Sequence, residues 1–281
     1  MDPLYPTFTA IAALASALCL FHSRTDRTAM VRYGSSLAYG FILEKMVIVG
    51  FAAYSYPARE YLVSVAAVPL AIAFGWSAII YAGIAAADAL GVPRVAMPGF
   101  VGLFALHVDL SMDAIAIRVP YWSWTDPGPW FGVPLGNFFG WFAVAALFAG
   151  WWLVFERRID GVPLGVAPLT ASLASLYVAL EGWTSLPRVT AVRAGVLVGL
   201  GLLAVVLLLV RRPVLDRPPP LSTFGAVMLM HGYFVAVLFG LGIYRDVPVL
   251  VIVATVMVGI GVGIHLLPGW LEDGSLAVFP A

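Results

Sequence analysis

The sequence predicts an all-α fold, a polytopic transmembrane helical bundle of about eight or nine spans with an aromatic, Pro/Gly-rich loop after the fourth. Three observations predict it. Of 281 residues, 62 % are apolar and only 11 % charged, whereas a soluble domain is about a quarter charged. Mean hydropathy is +0.98. Nine apolar stretches follow one another across short polar or Pro-rich breaks, and a bilayer core about 30 Å thick needs about 20 such residues per helix.

The stretches lie near residues 6–23, 35–54, 62–88, 96–117, 136–155, 163–183, 192–210, 221–243 and 247–266. MDPLYPTF at the N-terminus has no basic stretch before the first of them, so that stretch reads as a retained helix rather than a cleaved signal. RRPVLDRPPP, residues 211–220, is the clearest linker, yet the helices on both sides share one composition, which predicts a single integral membrane domain over 1–281. No internal repeat stands out. Arg24, Arg27, Arg32, Arg94, Arg157, Arg158, Arg211, Arg212 and Arg217 fall in odd-numbered loops, and Arg59, Arg118, Arg188, Arg193 and Arg245 in even ones. The positive-inside rule then places the N-terminus outside and the aromatic loop near the outer face of a cell membrane. Zero formal charge gives no reason to expect nucleic acid as partner. The single cysteine, Cys19, precludes an internal disulfide.

Charge inside the hydrocarbon carries the functional signal, because each ionisable group at a helix centre costs about 2.5–3.5 kcal/mol on insertion scales. The exceptions to loop placement are Glu44, Lys45, Asp109 and Asp113, with Asp88 and Glu181 nearer predicted ends. Lys45, the only lysine, reads as lying mid-helix and is expected to pair with a buried carboxylate. Asp109 and Asp113 are four apart and share one helix face with Gly102, Ala105 and Ala116. Two carboxyls would thus point into a groove of small residues, open to a thin apolar chain. Packed in low dielectric, such a pair rarely ionises together, and a retained proton is what a general acid needs. The competing reading is that both only hydrogen-bond neighbouring helices.

No metal is expected. His22, His107, His231 and His265 lie on different helices or ends without ligand spacing, and each reads as a satisfied polar residue. A DxxxD pair can hold magnesium for a diphosphate, but a second such motif is missing. A Gly-rich phosphate loop, a GxSxG elbow and a CxxC are missing too.

YWSWTDPGPWFGVPLGNFFGW, residues 121–141, gathers eight aromatic side chains, four of the nine Trp among them. Pro120, Pro127, Gly128, Pro129, Gly132 and Pro134 break any helix, so an ordered loop against the bundle is expected. An interfacial aromatic belt would explain the Trp and Tyr alone. More is implied by Trp122 and Trp124, which alternate onto one side of an extended segment. Asn137, the only asparagine in a chain without glutamine, sits nearby. Aromatic faces stabilise a cation developing on a hydrocarbon, where a charged residue would trap it covalently.

Asp109 and Asp113, then Trp122 and Trp124, then Gly128, Trp130, Phe131, Gly132, Val133, Pro134, Asn137, Phe138, Gly140 and Trp141 together resemble the signature of a carotenoid biosynthesis family of membrane proteins. That family includes the bacterial and archaeal carotenoid hydratases. Glu44 with Tyr54, Tyr56 and Pro57, and the Pro69, Trp76 and Tyr81 region, are weaker echoes. The resemblance is specific over about residues 100–145 and looser over half the chain.

The resemblance implies addition of water across the terminal double bond of a linear carotenoid, without redox cofactor or metal. Asp109 or Asp113 would be the acid, the other tuning it or orienting water, with Glu44 a second candidate for either task. Tyr121, Trp122, Trp124, Trp130, Phe131 and Trp141 would wall the end group, and Asn137 would fix the water or the loop. The expected partners are a carotenoid within the bilayer and membrane lipids, with other carotenoid-pathway enzymes or further copies of the chain as candidates. Two alternatives stand: a lycopene-type cyclase, in which the same cation closes a ring and loses a proton, and a non-catalytic pigment-binding subunit.

Overall fold

A computed structural model describes residues 2–24, 26–211, 213 and 217–272, the last six by backbone alone. Arg212 and residues 214–216 of the expected linker lie outside the described residues. The chain runs α1 (Leu4–Ser23), α2 (Arg27–Phe51), β1 (Tyr54–Ser55), β2 (Ser64–Val65), β3 (Val68–Pro69), α3 (Leu70–Ala89), α4 (Met97–Ala116), β4 (Ser123–Trp124), α5 (Leu135–Phe155), α6 (Gly161–Ser185), α7 (Thr190–Arg211), α8 (Leu221–Gly240), the one-turn α9 (Ile243–Asp246) and α10 (Val249–Glu272). Among the described residues nine helices are long and apolar enough to cross a membrane. Each overlaps one of the nine stretches read from the sequence, with α2 starting at Arg27 rather than near residue 35.

Helix α3 occupies the centre. Its sequence, LAIAFGWSAIIYAGIAAADA, is apolar on all sides and rich in Ala and Gly, so neighbours approach from every direction and nearly all of it is buried. Helices α1, α2, α4 and α8 pack around it, α5 and α6 close the side beyond α2 and α4, and α10 covers α4 and α8. Only Ala204 is buried on α7, whose Leu/Val-rich surface is left for lipid. At the Arg-rich end, ion pairs tie the start of α2 to the end of α3, and the loop after α3 to the end of α5. Arg32 pairs with Asp88 at 2.8 Å, and Arg94 pairs with Glu156 at 2.5 Å. The opposite end carries the aromatic loop and the N-terminus, joined where Tyr5 donates to the Pro120 carbonyl at 3.0 Å.

Two expectations are corrected here. The third helix starts at Leu70 rather than near residue 62, because residues 64–69 form a hairpin, β2 against β3, turning through Ala66 and Ala67 at φ 51° and 69°. Two alanines in left-handed conformation give no turn signature, so the apolar run reads as helix. Among the described residues Lys45 has no carboxylate partner: its Nζ donates to the Ala66 carbonyl at 3.0 Å, in the exposed hairpin turn. The helix end at Phe51 and the neighbouring hairpin bring the ammonium to the bundle surface, where no ion pair is needed. Lys45→Met is therefore expected to change stability by less than about 1 kcal/mol, whereas breaking a buried ion pair costs about 3–5 kcal/mol. Thermal unfolding of the detergent-solubilised variant reads the difference.

Candidate active site

Helix α4 presents Asp109 and Asp113 on one face, and both are almost fully buried. Facing them, α5 begins at Leu135 after Pro134 and carries Asn137 in its first turn. The Asn137 amide nitrogen donates to Asp109 Oδ1 and Oδ2 at 3.1 and 3.0 Å, and to Asp113 Oδ2 at 2.7 Å. One amide thus holds both carboxyls, and Asp113 Oδ1 is left buried without a partner. Asp113 lines a cavity of about 730 Å³, whereas Asp109 sits behind it, off the wall. The i, i+4 spacing brought the carboxyls together as expected, but the groove beside them is not open at Gly102. A Cβ there would meet Phe142 Cδ2 at 2.7 Å, so an aromatic ring of α5 fills that notch.

Across the cavity lies Glu44. Trp76 Nε1 donates to its Oε1 at 2.6 Å, and the Tyr54 and Tyr56 hydroxyls donate to Oε2 at 2.6 and 2.8 Å. Helix α2 ends because Ala52 turns left-handed, at φ 47°, and the chain doubles back so that both tyrosines reach a carboxylate on the helix they have just left. Burial, and next the neighbouring Glu44 carboxylate, hold both phenols well above their usual titration range. They stay protonated donors at any physiological pH.

The aromatic loop is fastened to this cluster by backbone pairing. Strands β1 and β4 run antiparallel, Tyr54 opposite Trp124 and Ser55 opposite Ser123, and Thr125 donates through N and Oγ1 to the Ala53 and Ala52 carbonyls at 3.0 and 2.7 Å. Lower in the loop, Gly128 pairs with Gly132 and Trp130 with Val133 around Phe131, at φ 52°. A Cβ on Gly128 would overlap Val133 O and Pro134 Cα, so glycine alone fits that crossing.

Of the aromatic residues expected to wall the site, Trp122, Trp124 and Trp141 line the cavity, as does Asn137. Trp124 Nε1 is buried and unpartnered. Tyr121, Trp130 and Phe131 lie off the wall. Tyr121 is buried among Tyr5, Phe8 and Tyr233, its hydroxyl bonded to that of Tyr233 and donating to the Leu4 carbonyl at 3.1 Å. Trp130 pins the loop to α4 through a 2.9 Å bond from Nε1 to the Leu110 carbonyl, and Phe131 packs on it. Their places on the wall are taken by Tyr54, Tyr56 and Trp76, the last with its indole 4.4 Å from that of Trp141. Tyr81 instead bonds His22 Nδ1 at 2.8 Å, away from the cavity. The other three histidines depart from the expectation of satisfied groups: Nε2 of His107, His231 and His265 is buried without a partner, and His107 and His231 meet with ring centroids 5.2 Å apart.

Residues 3–210 match the family described as carotenoid biosynthesis protein. The chain belongs to that family. As a member of it, this multi-pass helical membrane protein takes part in carotenoid biosynthesis. The match runs from α1 to the end of α7, so it includes Glu44, Asp113 and the aromatic loop and extends well beyond the segment on which the sequence resemblance was specific. No curated protein and no solved structure matches the chain.

Proposed function

We propose that this member of the carotenoid biosynthesis family is a hydratase, adding water to the terminal double bond of a linear carotenoid end group held in the cavity. The observation that carries the reading is the juxtaposition of a carboxyl on the cavity wall, that of Asp113, with one oxygen free of hydrogen-bond partners among the described residues, and indole faces in the same largely apolar cavity.

Asp113 gives a proton from Oδ1 to the less substituted alkene carbon, leaving a tertiary carbocation and a carboxylate. Asn137 on the wall and Asp109 behind it position Asp113, since the side chains of both bond only within the cluster. Trp76, Trp122, Trp124 and Trp141 surround the cation with π density that attracts it and does not bond to it. A water oxygen then adds to the cationic carbon, and the proton it sheds returns to Asp113, so the net change is one H₂O and the acid is regenerated. Glu44 accepts three hydrogen bonds and acts as a fixed negative charge opposite the developing cation, not as the proton donor. The chemistry is redox-neutral and needs neither cofactor nor metal.

The polar wall of Glu44, Tyr54 and Tyr56 supports hydration, because capture by water needs hydrogen-bonding groups beside the cationic carbon. Expression of the chain in cells that accumulate lycopene or another open-ended carotenoid tests this. Pigment heavier by one water is the expected product. Unchanged mass with altered absorption would make the protein a cyclase, and unchanged pigment a binding subunit.

A further inference from the structure

On the opposite face of α4 from the aspartates, α4, α8 and α10 meet around Gly261. We infer that the chain binds one copper(I) ion there, through His107 Nε2, His231 Nε2 and the Met228 thioether.

The first ground is donor orientation. His107 Nδ1 bonds the Phe104 carbonyl, which can only accept, so Nδ1 carries the hydrogen and the Nε2 lone pair is free. Histidines that bind metals are held in this way, the second ring nitrogen donating to a backbone carbonyl. His107 and His231 are each 4 % exposed, and neither Nε2 has a partner. A buried imidazole nitrogen left without one is costly, and here two face the same spot.

The second ground is space. Gly261 has no side chain, and the point where a Cβ would stand lies 2.7 Å from Met228 Cε, 3.3 Å from His107 Nε2 and 3.7 Å from His231 Nε2. The methionine sulfur is one bond behind that methyl. That point is too close to the Gly261 backbone to hold an ion, but the three distances place both nitrogens and the end of the methionine side chain beside one another, so an ion set between them needs only side-chain rotation to reach the ligand distance of about 2.0 Å. His265 steadies α10 at this level, with Nδ1 donating to the Gly261 carbonyl at 2.9 Å and its ring between Phe104 and Phe224. The sequence hid this site because its donors come from helices far apart in the chain.

The third ground is charge. Imidazole and thioether are neutral donors, and among the described residues no group of three His, Cys, Asp or Glu side chains is placed to add a charged one. A divalent ion near the middle of α4 and α8 would keep its full charge in hydrocarbon. Copper(I) brings a single charge, accepts two or three ligands, and is suited to imidazole with thioether. It would tie α10 to α4 and α8 and takes no part in the chemistry proposed for the cavity.

The test uses the full chain, freed of any affinity tag, in detergent micelles under anoxic, reducing conditions. Copper(I) is added and bathocuproine disulfonate, a copper(I) chelator, is titrated against it. The expected result is one copper retained per chain, with X-ray absorption showing two imidazole nitrogens and one sulfur. His231→Phe should cut retention at least tenfold, His22→Gln should leave it unchanged, and Met228→Leu should remove the sulfur scatterer. Wild-type protein that retains no copper, or copper with the same spectrum in Met228→Leu, would overturn the inference. Leucine matches methionine in size, so Met228→Leu decides the matter even where His231→Phe fails to fold.

Discussion

Asp113→Asn abolishes conversion in carotenoid-accumulating cells, with product falling by at least about a hundredfold, while the protein still inserts and folds. The magnitude follows from what one positioned acid contributes, about 10²–10⁴ in rate. The fold survives because the amide has nearly the volume of the carboxyl, and its oxygen still accepts from Asn137 Nδ2, the 2.7 Å bond Asp113 makes. What is lost is the exchangeable proton. Asp109→Asn provides the contrast. It leaves Asp113 on the cavity wall and changes only the group behind it, so a partial loss of about tenfold is expected, in line with weakened support from an outer group. Pigment mass and yield, normalised to the amount of membrane-inserted protein, read both. Full activity in Asp113→Asn with none in Asp109→Asn would transfer the acid's role to Asp109. Equal and full activity in both would remove the pair from the mechanism.

How much of this was legible beforehand depends on how far apart in sequence the interacting groups lie. Spacing within one helix was enough to pair Asp109 with Asp113, and apolar length was enough for nine spans, because both depend on the local period of the backbone. Proximity to the breakers of the aromatic loop made Asn137 a candidate, and it proved to be the link between the two carboxyls. Contacts between helices were not legible. Trp76 stands 32 positions from Glu44, and nothing in its local pattern announces that it bonds that carboxylate. Phe142 filling the notch at Gly102, and two imidazoles from α4 and α8 meeting beside Gly261 of α10, are likewise products of packing. Lys45 misled for the reverse reason. Its depth was inferred from an apolar run, and the Ala66–Ala67 turn that brings a carbonyl to it carries none of the residues that mark turns.

Glu44→Leu lowers stability by about 3–5 kcal/mol and Glu44→Gln by about 1–2 kcal/mol, and the ranking rests on what the three donors can do next. Leucine leaves the Tyr54 and Tyr56 hydroxyls and the Trp76 N–H without an acceptor, and each buried donor stranded in this way costs about 1–3 kcal/mol. The full sum is not reached, because the phenols can turn toward the cavity they line. Glutamine keeps one oxygen, which the indole must have, since Trp can only donate. Its NH₂ then faces two phenols, and a phenol can accept as well as donate, so the cluster re-forms with its polarity reversed on one side. Loss of the clamp would travel outward: Tyr54 is the strand partner of Trp124, and the Ala52 and Ala53 carbonyls hold Thr125. The loop that presents Trp122 and Trp124 to the cavity therefore loosens in the leucine variant and holds in the glutamine one. Thermal unfolding in one detergent gives the order of stability, and limited proteolysis between residues 118 and 134 reports the loop. Activity separates the two roles of Glu44. If its negative charge steadies the cation, Glu44→Gln folds yet loses roughly tenfold or more in turnover, the scale of one electrostatic contact in a dry site. A glutamine variant with wild-type turnover would leave Glu44 as a clamp alone, and a leucine variant as stable as wild type would remove even that.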